Sequence, residues 1–273
     1  MKLSIITINY NNKSGLQKTI DSVTCQTWHD FEWIVIDGGS TDGSKELIEQ
    51  YQRFFAYWCS EPDKGVYNAM NKGIEKAKGE YLLFLNSGDC LHEITVLETV
   101  LSNTMEDDIL YGSLNFVSST GHKIIHYPEK LSLHYFFCYS IGHPSSFIRT
   151  SLLKKCGYRE DLKIVSDWCK FIEWFREGKS FRRIQVVVSD FDTTGLSSSN
   201  ETLIGQERTL VLEDIYGKEN QQLIDESIKM QHLYDIVNEA GFIRILKNGG
   251  RRYTLLLQFI LFLNKTIKGL SKK

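Results

Sequence analysis

The chain reads as an α/β protein built on a twisted, mainly parallel sheet flanked by helices, with a helical extension at its C-terminal end. Two observations point there. β-Branched and aromatic runs alternate with amphipathic helical stretches through the first hundred residues, and after residue 200 this alternation gives way to continuous helical spacing. Strands that alternate with helices pair in parallel and are covered on both faces.

Leu3–Ile8 is a short β-branched run, Lys13–Gln26 has amphipathic helical spacing, and Phe31–Asp37 is a second apolar run. Ser44–Tyr51 is the next helix, Trp58–Glu61 a short strand, Val66–Ala77 a helix ended near Gly79, and Glu80–Leu85 a further strand. Ile94–Ser102 adds a helix. The pattern then changes, because Ile109–Val117 and His122–Tyr127 alternate like antiparallel strands around a Ser118–Gly121 turn. Tyr139–Arg149 carries a Gly142-His143-Pro144 loop, Leu152–Lys155 is a short helix, and Asp167–Glu177 is a helix with Ser166 as its expected N-cap. Phe181–Ser189 is a late strand, Asp192–Asn200 a Ser/Thr/Gly-rich loop, and Glu201–Ala240 a helical stretch polar on one side. The expected organisation is therefore a domain over 1–200, with halves 1–105 and 106–200, followed by a helical extension over 201–273.

The 273 residues are 42% hydrophobic and 24% charged, which suits one full α/β domain with a smaller appended part. A formal net charge of -2 excludes the strongly basic balance of a nucleic-acid binder. The six cysteines show neither CxxC pairing nor the density of a secreted disulfide scaffold, and no long apolar segment follows Met1-Lys2-Leu3-Ser4. A cytoplasmic protein is expected.

Asn86-Ser87-Gly88-Asp89 directly follows the apolar run Tyr81–Leu85, which sets a carboxylate at the carboxyl end of a buried strand. In open α/β sheets that rim is where ligands bind. Asp37-Gly38-Gly39-Ser40-Thr41-Asp42 and Glu61-Pro62-Asp63-Lys64-Gly65 bring further carboxylates to it. Asp37 can accept a nucleobase N–H or cap the helix that starts near Ser44, Tyr10 offers a stacking face, Asp42 suits a turn or cap, and Asp63-Lys64-Gly65 also forms a plain turn. Walker loops, HExxH and GxSxG elbows are absent, which removes P-loop ATPases, zincins and α/β-hydrolases.

Thr7-Ile8-Asn9-Tyr10-Asn11-Asn12, Asp37–Gly43, Asp63-Lys64-Gly65-Val66-Tyr67-Asn68-Ala69-Met70-Asn71 and Phe84–Asp89, in this order, resemble the family 2 glycosyltransferases of bacterial polysaccharide biosynthesis. The resemblance covers roughly residues 3–200. It implies a GT-A fold, a Rossmann-like sheet, and inverting transfer of a sugar from a nucleotide-sugar, with UDP favoured. It further implies that Thr7, Asn9, Tyr10 and Asp37 hold the nucleotide, that Asp63, Asn68 and Lys72 border the donor, and that Asn86, Ser87 and Gly88 shape the diphosphate loop. Asp89 would bind Mn2+ or Mg2+, which take hard oxygen ligands. Asp167 matches the position of the general base, and His143 would hydrogen-bond acceptor or diphosphate. Gly195-Leu196-Ser197 resembles a loop that closes over the donor. The commoner acidic motif is Asp-x-Asp-Asp, and here Asn86 and Gly88 stand at two of its acidic positions.

From Gly241 onward every charged residue is Lys or Arg, and these flank the apolar Tyr253–Leu263. That run is shorter than the roughly 20 residues that span a bilayer. Segment Arg244–Lys273 therefore suits an anionic membrane interface at the cytosolic face, where a lipid-linked saccharide would be the acceptor, or packing onto the core or a second subunit. The Gln-x-x-Arg-Trp motif of processive synthases is missing, so single-sugar transfer is expected. The alternatives are a non-catalytic sugar-nucleotide-binding scaffold, which the thinned acidic motif would suit, and a nucleotidyltransferase, for which Asn9–Gly15 supplies no convincing triphosphate loop.

Overall fold

Strand β1 (Leu3–Asn9) is buried at every position and lies between β2 (Phe31–Asp37) and β4 (Tyr81–Phe84), parallel to both. The structure is a computed structural model that describes residues 2–102, 105–118, 121–192 and 200–239, with 232–239 as helix alone. Asn9 is opposite Asp37 and Ile6 opposite Phe84, so β1, β2 and β4 release the chain at the same rim. β3 (Tyr57–Ser60) pairs in parallel outside β2. The order β3-β2-β1-β4 means that the chain builds outward from β1 on one side and then crosses back to its other side. Such a reversal opens a crevice at the carboxyl ends of the strands.

Helices α1 (Lys13–Thr24) and α2 (Ser44–Tyr51) cover one face. Leu16, Ile20 and Val23 of α1 and Leu47 and Ile48 of α2 pack with Leu3, Ile5, Trp33 and Val35 of the sheet. Burying side chains of this size contributes about 1.5–3 kcal/mol each. α3 (Val66–Lys76) covers the other face and sits close, because a Cβ on its Gly73 would lie 2.6 Å from Ile6 Cγ2. Beneath it, the buried Glu32 accepts hydrogen bonds from Ser4 Oγ at 2.5 Å and the Gly79 amide at 3.0 Å, and also from the Lys78 amide.

Beyond β4 the sheet turns mixed. β5 (Cys90–Leu91), α4 (Val96–Leu101), β6 (Ile109–Ser118), β7 (Gly121–Ile125), α5 (Leu133–Cys138), β8 (Ser146–Arg149), α6 (Thr150–Cys156), α7 (Ser166–Arg176) and β9 (Phe181–Asp192) follow in turn. β8 is antiparallel to β4 and to β6, β9 runs parallel to β6, and β5 runs antiparallel to β9. One edge of β6 is shared, with Ile109–Tyr111 taken by β8 and Leu114–Ser118 by β7. The result is the expected α/β sheet flanked by helices, parallel in its first half and mixed in its second.

The sequence reading missed β5 and α5. A two-residue strand has no period to detect, and Leu133–Cys138 is nearly all aromatic and apolar, without a polar face. The N-cap expectation at Ser166 is also corrected. The cap is Val165, and Ser166 Oγ instead accepts from the Arg159 amide at 2.7 Å.

The chain divides into two compact units, 1–221 and 222–273. α8 (Glu201–Tyr216) belongs to the first, and α9 (Gln221–Glu239) begins the second. Among the described residues no helix is long and apolar enough to cross a membrane. Gly195-Leu196-Ser197 and the basic, apolar Arg244–Lys273 lie outside the described residues.

A Cβ at Gly79 would stand 2.5 Å from the Ser4 amide nitrogen and 2.6 Å from the Leu3 carbonyl carbon, both backbone atoms of β1. Gly79→Ala is expected to lower the unfolding free energy by about 2–3 kcal/mol, read from the midpoint of urea unfolding, because β1 cannot yield without losing its two partner strands.

Candidate functional site

The first part of the rim is built on Asp37, the fully buried last residue of β2. Its Oδ1 accepts from Asn9 Nδ2 at 2.7 Å and Ser40 Oγ at 2.6 Å, and its Oδ2 from the Ser40 amide at 2.9 Å and Ser60 Oγ at 2.7 Å. Burial alone would raise its pKa, but the hydroxyls of Ser40 and Ser60, the Asn9 amide and the Ser40 backbone outweigh it and hold the carboxyl below its usual range. A carboxylate offers about four acceptor positions, and all are filled. A nucleobase N–H can therefore reach Asp37 only if a serine hydroxyl turns away. Asp37 does not cap the helix at Ser44. The N-cap of that helix is Gly43, and Asp42 makes the turn before it, accepting from the Ser44 amide at 3.0 Å and from Ser44 Oγ at 2.6 Å, with a third bond from the Lys13 amide at 2.8 Å.

Tyr10, 66% exposed just past β1, and Asp63 flank Gly38. A Cβ there would lie 3.1 Å from the Tyr10 ring and 2.5 Å from Asp63 Oδ2. Tyr10 and Asp63 thus meet over Gly38, the residue after Asp37. Asp63 Oδ1 also accepts from the Gly65 amide at 2.8 Å, closing the turn that starts α3. Thr7 lies on β1, two residues before Asn9. It is fully buried and accepts from Trp33 Nε1 at 3.0 Å, so it supports the rim from the core side. Asn68 and Lys72 point to protein partners, Asn68 to Glu160 at 2.9 Å and Lys72 to Glu61 at 2.8 Å.

The second part is the Asn86–Asp89 loop, held from α1. Asn12 N-caps α1 through the Gly15 amide and donates to the Ser87 carbonyl at 2.9 Å. The buried Thr19 donates to the Asp89 carbonyl at 2.8 Å and accepts from the Gly88 amide at 3.0 Å. Gly88 has φ +110°, a conformation that side-chain-bearing residues rarely adopt, which explains glycine where the commoner motif is acidic. Asp89, 4% exposed, accepts from the Asn86 amide at 3.2 Å and from the backbone amide of Asp192 at the end of β9. Burial pushes its pKa up to about 7, against those two amides and with help from the Asp192 carboxylate. A Cβ on Gly88 would stand 3.6 Å from Asp192 Oδ2, so Asp192, which sequence reasoning missed, shares this corner. Asn86 Oδ1 and Asn9 Oδ1 are buried without a hydrogen-bond partner among the described residues.

The third part is Asp167 in the first turn of α7. The amides ahead of it are satisfied from far along the chain: Glu207 of α8 accepts from the amides of Lys163 at 2.6 Å, Ile164 at 3.0 Å and Val165 at 3.2 Å. Tyr67 of α3 donates to Asp167 Oδ1 at 2.9 Å. Tyr67 packs on Tyr158 at 5.5 Å between ring centroids, Tyr158 bonds His143 Nε2 at 2.8 Å, and His143 stacks on Phe84 at 4.5 Å. This wall runs from the end of β4 to Asp167. His143 lies inside it; burial lowers its pKa, opposed by the Asp167 charge, and favours the neutral ring. Arg208 of α8 stacks over Trp168, next to Asp167, at 4.8 Å and donates to the Cys138 carbonyl at 3.0 Å. Sequence reasoning missed Tyr67, Glu207 and Arg208.

The family model for glycosyl transferase family 2 matches residues 4–151. An uncharacterized glycosyltransferase of Mycobacterium tuberculosis is 36% identical over 206 residues, which span 73% of this chain and 78% of that protein. Among solved structures, Staphylococcus aureus TarS in complex with UDP superposes with a TM-score of 0.63 at 19% identity, over 84% of this chain and 70% of that one. A mannosyltransferase of Pyrobaculum calidifontis, in complex with GDP-Man and Mn2+, gives a TM-score of 0.57 at 13% identity, over 96% and 80% of the two chains. The two structural likenesses show the fold.

The burial of Asp89 has a consequence for stability. Its folded pKa of about 7 exceeds the ordinary 3.8, so the folded state holds the proton more tightly and Asp89 becomes increasingly unfavourable as pH rises through that window. In metal-free protein, Asp89→Asn is expected to raise the thermal midpoint relative to the wild type, with the gap wider at pH 8 than at pH 5. The gain at pH 8 should be on the order of 3–4 kcal/mol.

Proposed function

We propose how this chain, which belongs to glycosyl transferase family 2 and is a glycosyltransferase, carries out its transfer. The donor is a nucleotide-sugar, with UDP favoured, whose base lies in the Tyr10, Gly38, Asp63 recess. Its diphosphate lies at the Asn86–Asp89 loop, and an acceptor hydroxyl meets Asp167. The observation that carries this reading is the state of Asp167. Tyr67 is the one donor to its carboxylate among the described residues and takes Oδ1, and the side chain is only half-buried. Oδ2 is thus open to accept a proton, as a general base requires.

The base reading of the recess has two supports. Tyr10 is exposed beside Gly38, which leaves its ring face free for stacking. The donors on Asp37 keep that carboxylate ionised, so a base N–H that displaces a serine hydroxyl would meet a charged acceptor. Thr7 and His143 would serve from behind, by fixing Trp33 and Tyr158, and Asn68 by fixing Glu160.

A divalent cation fits the Asp89 corner. The donor set is all oxygen: the Asp89 and Asp192 carboxylates and the unpartnered Asn86 Oδ1. That chemistry suits Mn2+ or Mg2+, and since the described residues contain no cluster of three or more His, Cys, Asp or Glu ligands, substrate phosphates and waters would complete the shell. When bound, the ion would neutralise charge on the departing nucleoside diphosphate. Asp167 accepts the proton of the attacking hydroxyl, one sugar is moved in a single displacement, and the anomeric configuration inverts. The acceptor is a saccharide, free or lipid-linked; the basic, apolar sequence Arg244–Lys273 supports a lipid-linked one at an anionic membrane face.

The test is nucleoside diphosphate release from UDP-, GDP- and dTDP-sugars, with water or alkyl glycosides as acceptors, in Mn2+ or EDTA. Release from a UDP-sugar in Mn2+ alone is expected, with Asp167→Asn losing about 10²- to 10⁴-fold in turnover while UDP affinity holds. Asp89→Ala should abolish Mn2+-dependent strengthening of UDP binding. Turnover that survives in Asp167→Asn would remove Asp167 from the role of base.

A further inference from the structure

We infer that Tyr67 is the positioning residue of the general base: its phenol ties one oxygen of Asp167, Oδ1, to the start of the donor-side helix α3 and so selects the other, Oδ2, to take the acceptor proton. The inference rests on the reading of Asp167 as the base.

Four contacts define the Tyr67 hydroxyl, one of them the backbone amide of Asp167, which donates to it. It accepts from the Ser166 amide at 3.0 Å, donates to Asp167 Oδ1 at 2.9 Å, and has a second acceptor, the Ile164 carbonyl, at 2.6 Å. The ring is 4% exposed and packed on Tyr158, so the hydroxyl has little freedom to leave this position. Burial, reinforced by the Asp167 charge, raises the phenol pKa well above its ordinary value, and Tyr67 stays a donor throughout.

With Oδ1 engaged by Tyr67, the acceptor proton is taken by Oδ2. The new O–H bond forms there as the hydroxyl oxygen bonds to the anomeric carbon and the nucleoside diphosphate leaves with the pair of the broken bond. Asp167 is then neutral and Oδ1 becomes a weaker, carbonyl-like acceptor. The Tyr67 proton is not stranded, because the Ile164 carbonyl lies within reach on the same hydroxyl. One neutral rotor thus serves the base in both protonation states. Tyr67 also stands two residues past Gly65, in the turn closed by Asp63, so the recess that receives the nucleobase and the carboxylate that receives the proton are joined through one helix turn.

The test compares Tyr67→Phe with the wild type in UDP release from the active UDP-sugar, with water as the acceptor. The expected result is a fall of about 10- to 100-fold in kcat, with donor KM and UDP affinity within about twofold of the wild type. A merely structural role would instead raise donor KM and weaken UDP binding along with kcat, and that pattern, or an unchanged kcat, would overturn the inference. Should Tyr67→Phe fail to fold, 3-fluorotyrosine at position 67 keeps the shape and makes a stronger donor. It should lower kcat at unchanged KM, and an unchanged kcat would count against Tyr67. Asp167→Asn separates the two levels: if it keeps turnover, the base assignment falls, and if it is inactive while Tyr67→Phe equals the wild type, only the role of Tyr67 falls.

Discussion

Everything at the site depends on the parallel pairing of β1 with β2 on one side and β4 on the other. Because Asn9 is opposite Asp37 and Ile6 is opposite Phe84, the segments leaving all three strands come out on the same rim, that of β4 three residues before the other two. Short side chains can then tie them together. Asn12 caps its own helix and holds the Ser87 carbonyl, Asn9 reaches Asp37, and Ser60 reaches the same carboxylate from β3. A slip of one residue in β1 would turn its buried faces over and separate these partners together.

Three carboxylates on that rim differ in their surroundings, and the differences sort what each can do. Asp37 is saturated with donors and stays charged. Asp89 is buried with two backbone amides and a neighbouring carboxylate, an arrangement that calls for a cation or a proton. Asp167 has, among the described residues, one donor to its carboxylate, on Oδ1. Identical functional groups are thus given unlike properties by hydroxyls, amides and burial, with no change of residue type.

Much of this was legible in the sequence, and the limits have physical causes. Phe31–Asp37 and Ser44–Tyr51 were read to the residue because their apolar periods are clean and their ends are marked by Asp, Gly and Ser. The acidic loops were placed at the rim from strand order alone. α5 escaped because its aromatic run has no polar side, and β5 because two residues make no pattern. The cap of α7 was misassigned because the groups that satisfy its amides, Glu207 and Tyr67, lie tens of residues away. Asp192 carried a weak signal, the Asp190-Phe191-Asp192 alternation at a strand end, and Tyr67 sat inside a motif already singled out, yet only the fold brings either against its carboxylate.

Gly88 limits which substitutions the Asn86–Asp89 loop can take. Its φ of +110° and its hold on Thr19 mean that an acidic side chain at that position would strain the loop, and the new charge would meet the Asp192 carboxylate. A carboxylate added without that strain would have to stand elsewhere, at Asn86 in the same loop or near Asp192 at the end of β9.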